Sequence, residues 1–416
     1  MRSSVSVRYA LRSLWRHLRR TLLSIVGIAF GVGLGLIAFA WIRGEHTMSV
    51  NAAAAGGVGH LRLVPEGWNE RRTIEMRLPA GWEQVLARLR DHEGIAVATP
   101  RARIGGLLAM GTRSTHIRLT GVDAATEPQA LRYVREIPEG RYLEPGATGE
   151  VVIGRTIADR LRVELEDELV VTTVDAAGEM RSALLLVVGI AETGSRNIDA
   201  EIAHVALEDV QALSGRQGAA EITLLVSDVH AIGRLHAELG PEAPPGSELL
   251  SWLELSPELR QNLEGDGAFF DIAISIVLFV VLMGVASAQL TSVLERRKEF
   301  AMLAALGMRG WQLVRVVLTE GLLLGTISAL AALAWSCPIL YDWSKEGIDL
   351  SQLMDLGEGS WEFGGLLIDP IFFPEFGSWV IPSAFGLALT ATSIASLYPA
   401  WFASRTDPAS ALRVDR

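Results

Sequence analysis

The sequence predicts an α+β membrane protein, in which four transmembrane helices carry a large mixed α/β domain between the first and the second. Three observations predict this fold class. Four apolar runs are each long enough to cross a bilayer. The long segment between the first two runs alternates in hydrophobicity, as half-buried strands do. The arginines that flank the apolar runs indicate which connecting segments stay in the cytoplasm.

The apolar runs set the positions of the predicted spans, since a membrane helix needs roughly 20 apolar residues. The first run follows Arg16, Arg19 and Arg20, as the apolar region of a signal peptide would. Its apolar core is longer than a signal peptide needs, and no clear cleavage site follows it, so we expect a retained helix. The predicted spans cover residues 22–43, 268–293, 313–340 and 379–403.

The distribution of charge predicts the orientation of the spans. Residues 1–21 hold six arginines and no acid, and residues 293–312 hold three arginines and one lysine. Residues 44–267 instead hold 21 arginines against 34 acids. Since basic loops stay on the cytoplasmic side, we expect the termini and the 294–312 segment in the cytoplasm. The domain over 44–267 and the loop over 341–378 then lie outside.

The segment over residues 1–21 alternates apolar and arginine positions at helical spacing. This pattern predicts an interfacial helix along the inner leaflet, and an unstructured positive flank is the alternative. A second basic segment, residues 404–416, forms a cytoplasmic tail.

The 44–267 segment alternates strand-like and helix-like patterns, which predicts a mixed α/β domain. The strand-like runs are HLRLV, THIRLTGV, EVVIG, ELVVTTV, ALLLVVGIA and EITLLVS. The helical patterns are GWEQVLARLRDH, RTIADRLR, LEDVQALSG and HAIGRLHAEL. The proline-rich stretch over 241–247 predicts a loop before the chain returns to the membrane.

Composition excludes several classes of function. A net charge of −11 argues against nucleic-acid binding. The single cysteine, Cys337, excludes an intramolecular disulfide, and the eight scattered histidines give no metal-ligand spacing. Neither lysine, Lys298 or Lys345, follows a glycine, so the chain lacks the lysine loop of a P-loop ATPase. We expect a non-catalytic chain without a cofactor of its own.

The segment between the second and third predicted spans, residues 294–312, predicts a short charged amphipathic helix. Such a helix is well placed to dock in a groove of a cytoplasmic partner, and a hairpin that only anchors the spans is the alternative. Within the third span, Glu320 is an ionisable group at membrane depth, where charge is costly. A structural coupling role is favoured there over proton handling. The candidate coupling residues are Glu295, Arg296, Arg297, Glu299, Leu303, Leu306 and Gly307.

Two motifs give the chain a resemblance to FtsX-like ABC permeases of the MacB type, also called type VII. The first runs from Glu295, Arg296 and Glu299 through Ala305 to Gly307 and on to the EGLLLG stretch that begins at Glu320. The second is YPAWFASRTDPASALR over residues 398–413. The order of one span, a large outer domain and three further spans is also similar, so the resemblance covers essentially the whole chain.

The outer domain resembles that of lipoprotein-releasing permeases of the LolC/LolE type, in the stretch EGRYLEPGATGEVVIGRTIADRLRVELEDELVV and in SWLELSPELRQNLEGD. The resemblance implies a bacterial inner-membrane permease with a periplasmic domain, working by mechanotransmission with a cytoplasmic ATPase dimer that binds ATP and Mg. It also implies a second permease chain, contact with membrane lipids, and lipoprotein extraction with a periplasmic carrier. The alternatives are a MacB-like exporter of peptides or antibiotics with a periplasmic adaptor, and an FtsX-like regulator of a cell-wall hydrolase.

Overall fold

A computed structural model describes most of the chain, including the whole region between the first and second apolar runs apart from a few residues. Most of the predicted interfacial helix and almost all of the predicted tail lie outside the described residues. The described residues are 18–70, 76–135, 137–255, 257–351, 361–363, 366–368 and 370–404.

The helices and strands follow one another along the chain as two sets. The helices are α1 (Leu18–Ala55), α2 (Trp82–Arg90), α3 (Glu127–Ala130), α4 (Arg155–Leu161), α5 (Arg196–Asp199), α6 (Leu207–Ser214), α7 (Ile232–Leu239), α8 (Trp252–Leu255), α9 (Pro257–Glu295), α10 (Arg297–Ala305), α11 (Gly310–Glu346) and α12 (Val380–Ser404). The strands are β1 (Leu61–Pro65), β2 (Ile95–Met110), β3 (Arg113–Val122), β4 (Glu139–Gly140), β5 (Glu150–Gly154), β6 (Glu168–Val174), β7 (Met180–Ala191), β8 (Ala203–Ala206), β9 (Glu221–Val226), β10 (Ser247–Ser251), β11 (Ile348–Asp349), β12 (Trp361–Phe363), β13 (Leu366–Ile368) and β14 (Ile371–Phe372).

The chain divides into two compact units. The helical unit comprises Met1–Glu45, Glu264–Ile348 and Phe372–Arg416, and the sheet unit comprises His46–Leu263 and Asp349–Ile371. Among the described residues, four helices are long and apolar enough to cross a membrane, and they lie in α1, α9, α11 and α12. The predicted fold class, four spans with a mixed α/β domain after the first, is confirmed.

The helices extend beyond the apolar runs that predicted them. α1 continues to Ala55, and α11 continues to Glu346, past the predicted end of its span at residue 340. Hydrophobicity marks the part of a helix that lipid can cover, whereas capping residues set where the helix stops. At the end of α11 the stop is Gly347, whose φ of 75° suits a glycine.

Small residues bring α11 and α12 close together in the helical unit. A Cβ added at Gly321 would overlap the Ser396 hydroxyl, and one added at Gly325 would lie 3.1 Å from the Ala388 carbonyl oxygen. The Thr392 hydroxyl donates to that same carbonyl at 2.8 Å. Close backbone approach with hydroxyls bonded to their own helix is typical of packing between membrane helices.

Part of the loop predicted over 341–378 lies against α1 within the helical unit. The amide of Glu375 donates to the Ala40 carbonyl at 3.0 Å. The Glu375 carboxylate pairs with Arg43 at 2.7 Å. The rings of Trp41 and Phe372 lie 4.3 Å apart. The end of this loop is therefore attached to the first span rather than free.

The sheet unit is built on a ten-stranded mixed sheet. Its order is β10-β1-β9-β2-β3-β8-β5-β7-β4, with β6 paired to both β2 and β7. The β3–β8 and β5–β7 pairs are parallel, and the other pairs are antiparallel. Such a mixed arrangement is typical of α+β domains, in which helices cover one part of the sheet.

The two largest apolar cores among the described residues of the sheet unit define two lobes. In the first lobe, α2 and α7 pack on β1, β9, β10 and the start of β2. In the second lobe, α4 and α6 pack on β3, β5, β6, β7, β8 and the rest of β2. β2 contributes Ile95 to the first core and Leu108 to the second, so a single strand of 16 residues passes through both lobes.

Replacing Gly154 with alanine should destabilise the sheet unit by about 2–3 kcal/mol, as overpacking of a closed core does. An added Cβ would overlap the backbone carbonyl oxygen of Asp199. That backbone cannot move easily, because the buried Asp199 carboxylate accepts bonds from the Thr193 amide (2.9 Å) and hydroxyl (2.7 Å). Hydrogen exchange of β5 amides in the detergent-solubilised chain measures the change.

The matched control is Gly233→Ala in α7, where an added Cβ meets nothing within 4 Å. Alanine should stabilise this helix by about 0.5–1 kcal/mol, because it has the higher helix propensity. Equal exchange rates in the two variants would contradict the close contact at Gly154.

Candidate functional site

The junction between α9 and α10 lies at Arg296, a turn residue between Glu295 and Arg297. The amide of Arg296 donates to the Ser292 carbonyl at 3.3 Å, and the Arg296 carbonyl accepts from the Phe300 amide at 3.0 Å. The backbone bonds therefore continue through the junction while the helix is interrupted. The direction in which α10 leaves α9 is set at this one residue.

The Arg296 side chain points into the helical unit and is 5% exposed. Its Nη1 donates to Oε2 of Glu320 at 2.9 Å, and Glu320 is 4% exposed. Its Nε donates to Oε2 of Glu299 at 3.3 Å, and its guanidinium lies over the Phe300 ring at 5.0 Å. Arg296, named from the sequence as a candidate coupling residue, is therefore buried rather than exposed to a partner.

A buried ion pair of this kind costs free energy to form, and loss of one of its two charges destabilises the protein. Removing two charges from water costs several kcal/mol per ion, and their attraction offsets that cost only when the geometry is good. Removing one partner typically costs about 3–5 kcal/mol, because it leaves the other charge buried and unpaired. Glu320 thus has a partner within the helical unit.

An apolar cluster surrounds the junction and joins four helices of the helical unit. Val293 of α9 and Phe300 of α10 pack with residues of α11 and α12. The partner residues are Leu313, Val317, Ala400 and Ala403. The inner face of α10 is therefore held by apolar packing as well as by the ion pair.

The end of α10 is defined by Gly307, whose φ is 93°. The amide of Met308 donates to the Leu303 carbonyl at 3.0 Å, the six-to-one bond of a Schellman motif. The next helix begins at once, because the Arg309 amide donates to Oε1 of Gln312 at 2.9 Å. The glycine in the sequence motif thus has a backbone role: it reverses the chain between α10 and α11.

The outer face of the junction exposes apolar side chains beside charged ones. Leu306 is 85% exposed, and Met302 and Trp311 are also exposed. We call this the docking face, and it also includes the exposed candidate residues Glu295, Arg297 and Gly307, together with the exposed Lys298. Glu299 and Leu303 are half-buried at its edge.

Most of this face was named from the sequence, but two of its large apolar side chains were not. Met302 and Trp311 were not singled out, although they are large apolar residues next to the motif. Phe300 was also missed, and its helical spacing from Val293 was the signal that could have placed it in the core. The structure otherwise brings the candidate residues together on one short segment.

A second polar region lies on one face of the sheet in the sheet unit, where apolar side chains would be expected. Charged side chains from β1, β2 and β9 meet there. Arg101 Nη2 lies 2.7 Å from Glu127, while Glu221 lies 3.2 Å from Arg62 and 3.1 Å from Arg103. Arg62, Arg101, Arg103 and Glu127 line a cavity of about 390 Å³. The alternation of β2 places Arg101 and Arg103 on one face, a signal that the sequence analysis did not use.

Burial changes the ionisation of the aromatic groups in this cavity. Nδ1 of His204 lies 3.0 Å from the Tyr142 hydroxyl, and Nε2 of the same ring lies 3.5 Å from the Tyr133 hydroxyl. Desolvation lowers the pKa of His204 to about 3, with a smaller contribution from Arg101 and Arg103. Desolvation likewise raises the pKa of Tyr133 and of Tyr142. These groups are therefore neutral near pH 7 and act as hydrogen-bonding groups rather than as charges.

Among the residues that the structure describes, no group of three or more His, Cys, Asp and Glu side chains could hold a metal ion. The ionisable clusters described above are ion pairs.

Four membrane-spanning helices, an α/β domain inserted after the first, and a compact helix between the second and third spans define a multi-pass membrane protein of the permease class. Family models match most of the chain: residues 21–241 match the MacB-like periplasmic core domain, and residues 272–408 match the FtsX-like permease C-terminal model. The chain belongs to the MacB/FtsX-like permease family, and it is an ABC transporter permease of the LolC/MacB type.

The chain is also similar to individual named proteins and to a solved structure. The chain is 25% identical over 346 residues to the lipoprotein-releasing system transmembrane protein LolC of Xylella fastidiosa, covering 80% of this chain and 81% of that one. It is 24% identical over 348 residues to the macrolide export ATP-binding/permease protein MacB of Marinobacter nauticus, covering 78% and 51%. The periplasmic region of MacB from Actinobacillus actinomycetemcomitans is 15% identical, with a TM-score of 0.35, covering 51% and 94%.

The sheet unit should lose stability as the pH falls from about 6.5 toward 4. Burial lowers the pKa of His60 to about 4 and that of His204 to about 3, from the ordinary value of 6.5. Over that window the unfolded chain binds more protons, so each histidine lowers the free energy of unfolding by about 1.4 kcal/mol per pH unit. His204→Gln keeps a hydrogen-bonding group for Tyr142 but removes one titration, so its pH slope should be shallower.

The slope is measured by hydrogen exchange of β8 amides in the full chain at several pH values. An identical slope in wild type and His204→Gln would show that His204 does not titrate between the folded and unfolded states.

Proposed function

We propose that this chain is the membrane subunit of an ABC system that works by mechanotransmission. A separate cytoplasmic ATPase dimer, which binds ATP and Mg, drives movement of the periplasmic sheet unit through the docking face. The leading substrate class is lipoproteins, which the system extracts from the inner membrane. The chain itself catalyses no reaction, and a second permease chain completes the assembly.

The docking face is the observation that carries this proposal. α10 is a helix of nine residues between two spans, and its inner face is held by Phe300 and Arg296. Its outer face presents Leu306, Met302 and Trp311 to solvent. Exposed apolar side chains ringed by charges are typical of a protein–protein contact. A groove on a soluble partner would cover this face.

The lysine content supports a separate ATPase. A Walker A loop needs a lysine after a glycine to neutralise the phosphates of ATP. The chain has two lysines, Lys298 and Lys345, which follow Arg297 and Ser344. ATP and Mg are therefore assigned to the partner.

The name of one relative supports the substrate class. The alignment with a lipoprotein-releasing system protein covers about four-fifths of this chain and of that protein. The exporter alternative draws on a macrolide-export relative, but this chain spans about half the length of that protein. Purification with native partners, followed by mass spectrometry, separates the two. A bound lipoprotein or carrier supports extraction, and a periplasmic adaptor supports export.

The exposed side chains of α9 support contact of this helix with a second permease chain and with membrane lipids. Its exposed side chains are large and apolar over most of the predicted span. They need either lipid or a neighbouring helix to cover them. These residues are Ile272, Ile276, Phe279, Val280 and Met283.

Leu306→Asp should weaken ATPase binding by about 30-fold or more, the effect of losing a central contact worth 2 kcal/mol. An aspartate would carry an unpaired charge into the apolar groove that covers Leu306. Co-purification of the native ATPase with the permease, at equal membrane expression, measures the change.

Leu253→Asp is the matched control, because Leu253 is an exposed leucine of the sheet unit. It should retain normal ATPase binding. Full binding by Leu306→Asp, and by charge reversal of Glu295 and Glu299 together, would mean that α10 is a membrane anchor only.

The orientation of the spans makes a separate prediction. In a Cys337-free chain, a cysteine at position 150 should react with an impermeant reagent from outside. A cysteine at position 298 should react only after the cytoplasmic side is opened, because the basic 293–312 segment stays inside. The reverse pattern would contradict the proposed topology.

A further inference from the structure

Arg296 joins the docking face to the third span through a single side chain. Glu320 lies 24 residues away on α11, yet its carboxylate is 2.9 Å from Nη1 of Arg296. Arg296 is also the turn residue between α9 and α10. The residue that sets the direction of α10 is therefore the one that holds α11.

Stability alone does not account for this ion pair. The surrounding side chains, such as Phe300, Leu313 and Val317, are apolar and closely packed. Replacing a buried ion pair with apolar side chains of similar volume is often neutral or stabilising. What an ion pair adds is direction, since a guanidinium holds a carboxylate at a defined angle. The pair is thus suited to fix the angle between α10 and α11.

The same guanidinium contacts a second carboxylate at the surface. Nε of Arg296 donates to Glu299 at 3.3 Å, and Glu299 is 39% exposed on its side chain. Glu320, by contrast, is almost fully buried. A cation on a docked partner can reach Glu299 but not Glu320. When such a cation binds Glu299, Arg296 is left to pair more fully with Glu320.

We propose that Arg296 is a positioning residue that transmits movement of the docking face to α11, through its paired contacts with half-buried Glu299 and buried Glu320. The inference rests on the proposed function, because it requires a partner on the docking face. In this proposal, the Glu320 carboxylate is the group through which movement of Arg296 reaches α11. The partner that fits is a soluble protein with a basic side chain opposite Glu299.

Glu320→Gln separates transmission from docking, because it removes the buried charge, keeps the side-chain shape and leaves the docking face unchanged. ATP-dependent change in hydrogen exchange of the sheet unit should fall about tenfold in the assembled complex. Co-purified ATPase should change by no more than about twofold, since Glu320 is buried and is not part of the docking face. Arg296→Lys, which keeps the charge but not the two-carboxylate geometry, should give an intermediate loss.

The charge-swapped chain Arg296→Glu with Glu320→Arg tests the pair itself. It should regain a substantial part of the ATP-dependent exchange that each single variant loses. The control is Lys345→Gln, which removes an exposed cation at the other end of α11 and should behave as wild type.

Three outcomes overturn the inference. One is full transmission in Glu320→Gln, and another is no recovery in the swapped chain. The third is loss of ATPase binding in step with loss of transmission, which would make the pair a folding element of the docking face. Failure of the proposed function is different: wild type would then retain no ATPase, or Leu306→Asp would bind it fully.

Discussion

The lipid bilayer imposes the constraint on which the rest of this structure depends: within hydrocarbon, every backbone amide and carbonyl must find its partner inside the protein. Helices meet this demand segment by segment, so the four spans are helical. The hydroxyls of Thr392 and Ser396 bond to carbonyls of their own helix for the same reason. The single intramembrane carboxylate on the third span, Glu320, is paired with Arg296 rather than left alone. The sheet, whose edges need water or cover, lies in the other unit.

The fold was largely predictable where one physical signal dominates. The six strand-like runs named from sequence correspond to β1, β3, β5, β6, β7 and β9, and the four helical patterns to α2, α4, α6 and α7. Each has a clear period and a clear turn beside it. β2 was missed although it is a long strand, because Pro100, Arg101, Arg103 and the Gly105–Gly106 pair interrupt its apolar pattern. Those polar positions are paired by neighbouring strands, which no local pattern reveals.

The candidate site was predictable in position but not in orientation. The motif from Glu295 to Gly307 gave the segment, and the charge of Glu320 identified it as unusual at membrane depth. Adjacent arginines in a sequence carry no information about which one turns inward, so the burial of Arg296 could not be predicted. Burial of Arg296 beside exposed Arg297 follows from the bend between α9 and α10. That bend depends on tertiary packing around Phe300.

The passage of β2 through both lobes has a consequence for how this domain can diverge or be engineered. Residues 95–101 of β2 pair with β9, and residues 101–110 pair with β3. The lobes therefore share one covalent strand and cannot be recombined as independent cassettes between related proteins. A chimera joined within β2 would mismatch two ladders at once, whereas junctions in the loops after β3 or before β9 would leave the shared strand whole. Inheritance of the two lobes should accordingly be linked, even though each has its own apolar core.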